Sequence, residues 1–84
     1  MGRQSLNEPT EVEARFDADG RVQVRSFTWQ GRRWPVISQG RQWTDESGRR
    51  HTLVMTVRER VYELAYAAET GWRIVMASED RLAA

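Results

Sequence analysis

The chain has no cysteine and no lysine, only two prolines and a single histidine. Without cysteine there is no disulfide framework, no thiolate metal site and no cysteine nucleophile. With His51 as the only histidine, a metal site there would need carboxylates from Asp45, Glu46 or elsewhere. A lone histidine beside Thr52 on a strand reads instead as a rim residue, and neither a metal nor any other cofactor is expected. Apolar runs are only a few residues long, so no segment reads as a membrane span. The opening Met1-Gly2-Arg3-Gln4-Ser5-Leu6 has neither the apolar stretch of a signal peptide nor the Ser or Thr at residue 6 of a myristoylation signal. These absences predict a cytoplasmic protein with no membrane partner.

What is present argues for one small folded domain. The 84 residues are 39% hydrophobic and 30% charged, with a net charge of +1 and four tryptophans, a balance unlike that of a disordered or polycationic chain. All thirteen basic residues are arginine. Arginine forks onto phosphates and carboxylates and stacks on aromatic faces, which lysine does not. Codon usage in a GC-rich genome also produces such a bias, so abundance alone is no argument for nucleic-acid binding.

Residues 1–10 mix polar residues with Gly2 and Pro9, lack periodicity and are expected to form a flexible arm. Residues 79–84 are too few for a stable helix and are expected to be a tail. Between them, residues 11–78 read as short strands separated by turns. Ala18-Asp19-Gly20, Glu46-Ser47-Gly48 and Glu69-Thr70-Gly71 each place glycine last in a three-residue loop. A type I turn followed by a bulge needs a positive φ at that position.

These loops predict registers. The first sets Phe16 opposite Val22 and Ala14 opposite Val24, the second sets Trp43 opposite His51, and the third sets Tyr66 opposite Ile74. A two-residue connection at Glu59-Arg60 pairs Val57 with Tyr62, Met55 with Leu64 and Leu53 with Tyr66. Gly31 as first residue of a two-residue loop sets Trp29 opposite Trp34 and Phe27 opposite Val36. Parity changes predict irregularities near Arg25-Ser26 and near Ser38-Gln39-Gly40. Six strands with two bend points point to an all-β fold, a small antiparallel meander curled into an SH3-like or Sm-like barrel.

Three stretches, Phe27-Thr28-Trp29-Gln30-Gly31-Arg32-Arg33-Trp34, Arg60-Val61-Tyr62-Glu63-Leu64-Ala65-Tyr66 and Glu69-Thr70-Gly71-Trp72-Arg73-Ile74-Val75, carry a resemblance. Together they resemble a group of small bacterial domains of unknown function. In these a Trp-x-Gly-Arg-Arg hairpin precedes a Val-Tyr-Glu-Leu strand and a Thr-Gly-x-Trp hairpin. Here Trp72 follows Gly71 directly, a departure from that pattern. The resemblance spans about Phe27 to Asp80 and implies a shared fold. It also implies an association with genes neighbouring translesion DNA polymerases.

The catalytic inventory is thin. Asp45-Glu46 and Glu79-Asp80 are adjacent pairs, and adjacent strand residues face opposite ways. No serine has a plausible base or a Gly-x-Ser-x-Gly setting, and Gly31-Arg32-Arg33 lacks the spacing of a phosphate loop. A binding module rather than an enzyme is expected. Its candidate contacts are arginines beside aromatics: Arg32 and Arg33 near Trp29 and Trp34, and Arg41, Trp43, Arg49 and Arg50 near His51. Single-strand-binding barrels combine cations on phosphates with an aromatic face for a base. Nucleic acid is one expected partner. A protein bound in an aromatic groove or along a sheet edge is the alternative.

Overall fold

The computed structural model describes residues 3–78. Its strands are β1 (Arg3–Pro9), β2 (Val12–Phe16), β3 (Val22–Trp29), β4 (Arg32–Pro35), β5 (Ser38–Thr44), β6 (Arg50–Met55), β7 (Val61–Ala67) and β8 (Gly71–Ser78). All pairings are antiparallel, and no α-helix occurs among the described residues. The all-β class is as expected, but eight strands replace the expected six. They form a five-stranded sheet, β1-β8-β7-β6-β5, and a three-stranded sheet, β2-β3-β4, rather than one closed barrel.

Val22, Val24 and Phe27 of β3 face Val54, Tyr62, Leu64, Ile74 and Ala77 of the large sheet, and these side chains make the core. Trp29, Trp34 and Trp72 pack against its margin, half-buried. The chain changes sheets at two corners. Thr10 donates its N–H to the Trp72 carbonyl and its hydroxyl to Thr28. At the other corner Val36 donates to Arg25 of β3 and the next residue, Ile37, to Met55 of β6 (both 2.8 Å).

Between β3 and β5 no backbone ladder closes the ring among the described residues, and side-chain amides join the strands instead. Gln39 and Gln42 donate to the Val22 carbonyl at 2.9 and 2.7 Å. Their oxygens accept the N–H groups of Val24 and Val22 respectively. This seam satisfies backbone groups that would otherwise be stranded beside the core.

Turn chemistry decides which expected registers hold. Phe16 pairs with Val22 and Ala14 with Val24, with Arg25 as the extra residue of a bulge. Trp43 pairs with His51, and the register shifts between Gln39 and Gln42. Three connections differ from expectation. Gln30 and Gly31 both have positive φ (53° and 74°), so they form the two-residue loop and Trp34 pairs with Phe27, not Trp29. The shift is two residues, so Trp29 and Trp34 keep their inward face.

After β7 the loop closes at Ala67 and Gly71. Leu64 therefore meets Ile74, and a bulge at Val75 turns Ala77 rather than Met76 inward. Between β6 and β7 a tight turn, Val57–Glu59, in which Glu59 donates its N–H to the Thr56 carbonyl (3.2 Å), closes Thr56 on Arg60. Val54 then meets Tyr62, an odd shift that reverses the strand. Thr52, Val54 and Thr56 are buried, whereas Leu53 and Met55 lie half-buried on the outer face and Val57 is exposed.

The segment expected as an arm contains β1, which pairs along β8. A strand added to an edge is held by its backbone ladder and needs no apolar alternation of its own. The expected tail, 79–84, lies outside the described residues.

Candidate nucleic-acid interface

The Glu46-Ser47-Gly48 loop brings Asp45 and Arg49 together, and alternation places both on the outer face with Trp43 and His51. Asp45 holds this turn: its Oδ1 accepts N–H groups from Ser47 and Arg49 and the Ser47 hydroxyl. Its Oδ2 lies 2.7 Å from His51 Nε2, and Glu63 Oε2 lies 2.7 Å from His51 Nδ1. An imidazole with hydrogen on both nitrogens donates to both carboxylates. The His51 and Ser47 hydrogen bonds hold the Asp45 carboxyl well below the usual carboxylate range.

This clamp fixes His51, and the Trp43 indole stacks on it with ring centres 5.1 Å apart and planes 5° from parallel. The Arg41 guanidinium lies 5.1 Å from the centre of the Trp43 ring. A shallow pocket of about 110 Å³ opens beside them, lined by Gln42, Trp43, Thr44, Arg50 and His51. The nearby carboxylates Asp45 and Glu63 are thus committed to His51. Among the described residues Arg41 and Arg49 have no carboxylate partner.

The structure does not unite all six expected residues. Arg41, Trp43 and Arg49 share one outer surface. Arg50 points to the opposite face and donates to the Gly20 carbonyl, tying the β2–β3 turn to β6. Arg32 and Arg33 open β4, paired with Trp29 and Thr28 at the far end of β3. From Val22 to Thr28, the partner of Arg33, the strand runs six residues, about 20 Å at ~3.3 Å each. Arg32 stacks over Trp34 at 4.8 Å. Arg33 donates its Nε to the Ser26 hydroxyl (3.0 Å) and is ion-paired with Glu13. These two cations serve the small sheet and belong to a separate cluster.

Sequence reasoning missed Arg15, Arg21 and Arg25. All three are exposed and, among the described residues, lack a carboxylate partner. Their outward positions follow from the inward Ala14, Val22 and Val24. The link of Arg21 and Arg25 to the side of Trp43 runs through the glutamine seam at Gln42 and Val22, which no local pattern announces.

Among the described residues no helix is long and apolar enough to cross a membrane. Comparison with protein-family models, curated proteins and solved structures returned no match.

Proposed function

We infer that this domain is a non-enzymatic module that binds nucleic acid through the outer surface of the β5–β6 hairpin. The observation supporting it is Trp43, braced on His51 and flanked by Arg41 and Arg49, two arginines that have no carboxylate partner among the described residues. An exposed guanidinium on an indole contributes ~0.5–1 kcal/mol, whereas a base stacked on an aromatic contributes ~1–3 kcal/mol. A base therefore displaces Arg41 from the ring, and the released guanidinium is free to contact the adjacent phosphate. The resemblance in the sequence makes DNA maintenance the setting for such an accessory.

Fluorescence anisotropy of labelled oligonucleotides, titrated with protein at several salt concentrations, tests the reading. Binding that weakens steeply with salt is expected. No binding at low salt would remove it.

A second reading, a protein-interaction module, is favoured by Ile37 and Val57, which are 62% and 47% exposed. Ile37 donates to Met55, two residues before Val57, so both lie near the same corner. Recovery of a defined protein after nuclease treatment, lost in an Ile37→Ser/Val57→Ser variant, would support this reading over the first.

A further inference from the structure

The glutamine seam makes neighbours of two surfaces that are distant in sequence. Gln42 reaches inward to the backbone of Val22, so the residues beside each of them face outward on adjacent strands. Arg41 and Trp43 flank Gln42, and Arg21 and Gln23 flank Val22. Arg25, displaced by the β3 bulge, continues the line. The nearby acidic groups are largely engaged: Asp45 and Glu63 with His51, Glu13 with Arg33, and Asp17 with the N–H groups of Asp19 and Arg21. Asp19 and Glu46 stay exposed on the two turns bordering the line.

We propose that Arg41, Trp43 and Arg49 on one side of the β5–β3 seam and Arg21, Gln23 and Arg25 on the other form one continuous track for single-stranded nucleic acid. The proposal rests on the nucleic-acid reading above and extends it to a strand type and a path. A surface that turns from one sheet to the next on a molecule measuring 33 × 25 × 23 Å is strongly convex. A duplex, stiff over ~150 base pairs, touches such a surface only briefly. A single strand bends around it, its phosphates following the arginines while an unpaired base reaches Trp43.

The test compares anisotropy titrations of an oligo-dT of about 12 nucleotides, within the span of small single-strand-binding folds, and of a duplex of equal length. Arg21→Ala/Arg25→Ala is the main variant. Both residues use only backbone groups in the turn and corner hydrogen bonds, so the fold, checked by circular dichroism, is retained. Arg21→Gln/Arg25→Gln serves the same purpose with longer side chains should the first variant unfold.

The wild type is expected to bind the single strand more tightly than the duplex. The double variant should bind it more weakly, with the magnitude of the log–log salt slope reduced by about 1.4, from ~0.7 per phosphate contact. Arg58→Ala, on the turn at the other end of β6, should match the wild type and so exclude a mere net-charge effect.

Unchanged affinity and slope in the folded double variant, with wild-type binding intact, would overturn the track and leave the hairpin reading standing. Duplex binding as tight as single-strand binding would also overturn it, as would an equal effect of Arg58→Ala. A poly-glutamate peptide bound as tightly as the oligonucleotide would overturn the choice of nucleic acid. Failure of the wild type to bind either oligonucleotide at low salt would remove both proposals.

Discussion

Tyr62 joins Phe27 and Trp29 in the core through edge-on ring contacts, with centres 4.9 and 5.3 Å apart. Among the described residues its buried hydroxyl has no hydrogen-bond partner. A stranded buried hydroxyl forfeits its hydration, at a cost of ~1–3 kcal/mol. Tyr62→Phe keeps both ring contacts and is expected to raise stability by about 1 kcal/mol in urea denaturation. A loss of stability would mean that the hydroxyl is in use. Asp45 is the opposite case, a carboxylate whose two oxygens both accept hydrogen bonds. Because its folded pKa is depressed, its contribution is present above the ordinary value of 3.8 and is lost as pH falls through the folded value. Asp45→Asn is therefore expected to lower stability near neutral pH and to flatten the acid limb of the stability–pH curve below about pH 4. Parallel curves for the two proteins would show that the His51 clamp contributes nothing.

Among the elements, the turns govern what the strands do. Arg58 and Glu59 hold φ of 65° and 60°, a region where residues other than glycine are strained by ~1–2 kcal/mol each. Arg58→Gly relieves part of that strain and, net of glycine's greater freedom when unfolded, is expected to raise the unfolding free energy measured in urea by up to about 1 kcal/mol. The same turn explains why sequence reasoning placed β6 with its faces reversed. Leu53, Met55 and Val57 are more apolar than Thr52, Val54 and Thr56, so composition favoured the wrong set. With no glycine to mark it, the loop that decides the register was misplaced. At Gly31 and Gly71 glycine marked the loop, but the expected register was offset. After Asp17 and after Asp45 the glycine-marked loops gave the observed registers, with irregularities near the expected places. Arg41, Trp43 and Arg49 could be grouped from those registers, whereas Arg21 and Arg25 could not be joined to them. Their link is a pair of glutamine side chains, and the alternation of strand residues carries no sign of it. The seam is itself testable. Gln39→Leu/Gln42→Leu strands the Val22 and Val24 groups, and hydrogen exchange at those two amides should accelerate. A global loss of ~1–3 kcal/mol for each stranded group is expected. Unchanged protection would show that other groups satisfy them.

At the scale of the whole molecule, a chain of 84 residues commands a stability of roughly 4–13 kcal/mol, so one large core deletion consumes much of it. The four tryptophans divide on this basis. Trp29, Trp34 and Trp72 pack against the core, and Trp43 lies outside it on the outer face. Phe27, 1% exposed at the centre, sets the standard for a core aromatic: Phe27→Ala is expected to cost ~3–5 kcal/mol and to leave much of the protein unfolded at 37 °C. Trp43→Ala gives up the His51 stack and the Arg41 contact, a loss of about 1–2 kcal/mol, and should unfold with the wild-type dependence on urea. Its effect belongs to binding instead. If a base stacks there, affinity for the oligonucleotide falls by roughly 5- to 150-fold, the equivalent of ~1–3 kcal/mol. The two measurements must diverge for the proposed function to stand. A Trp43→Ala protein as unstable as Phe27→Ala would make Trp43 a structural residue. A stable Trp43→Ala protein with wild-type affinity would leave only phosphate contacts, and the arginines on either side of the seam would then have to carry the binding alone.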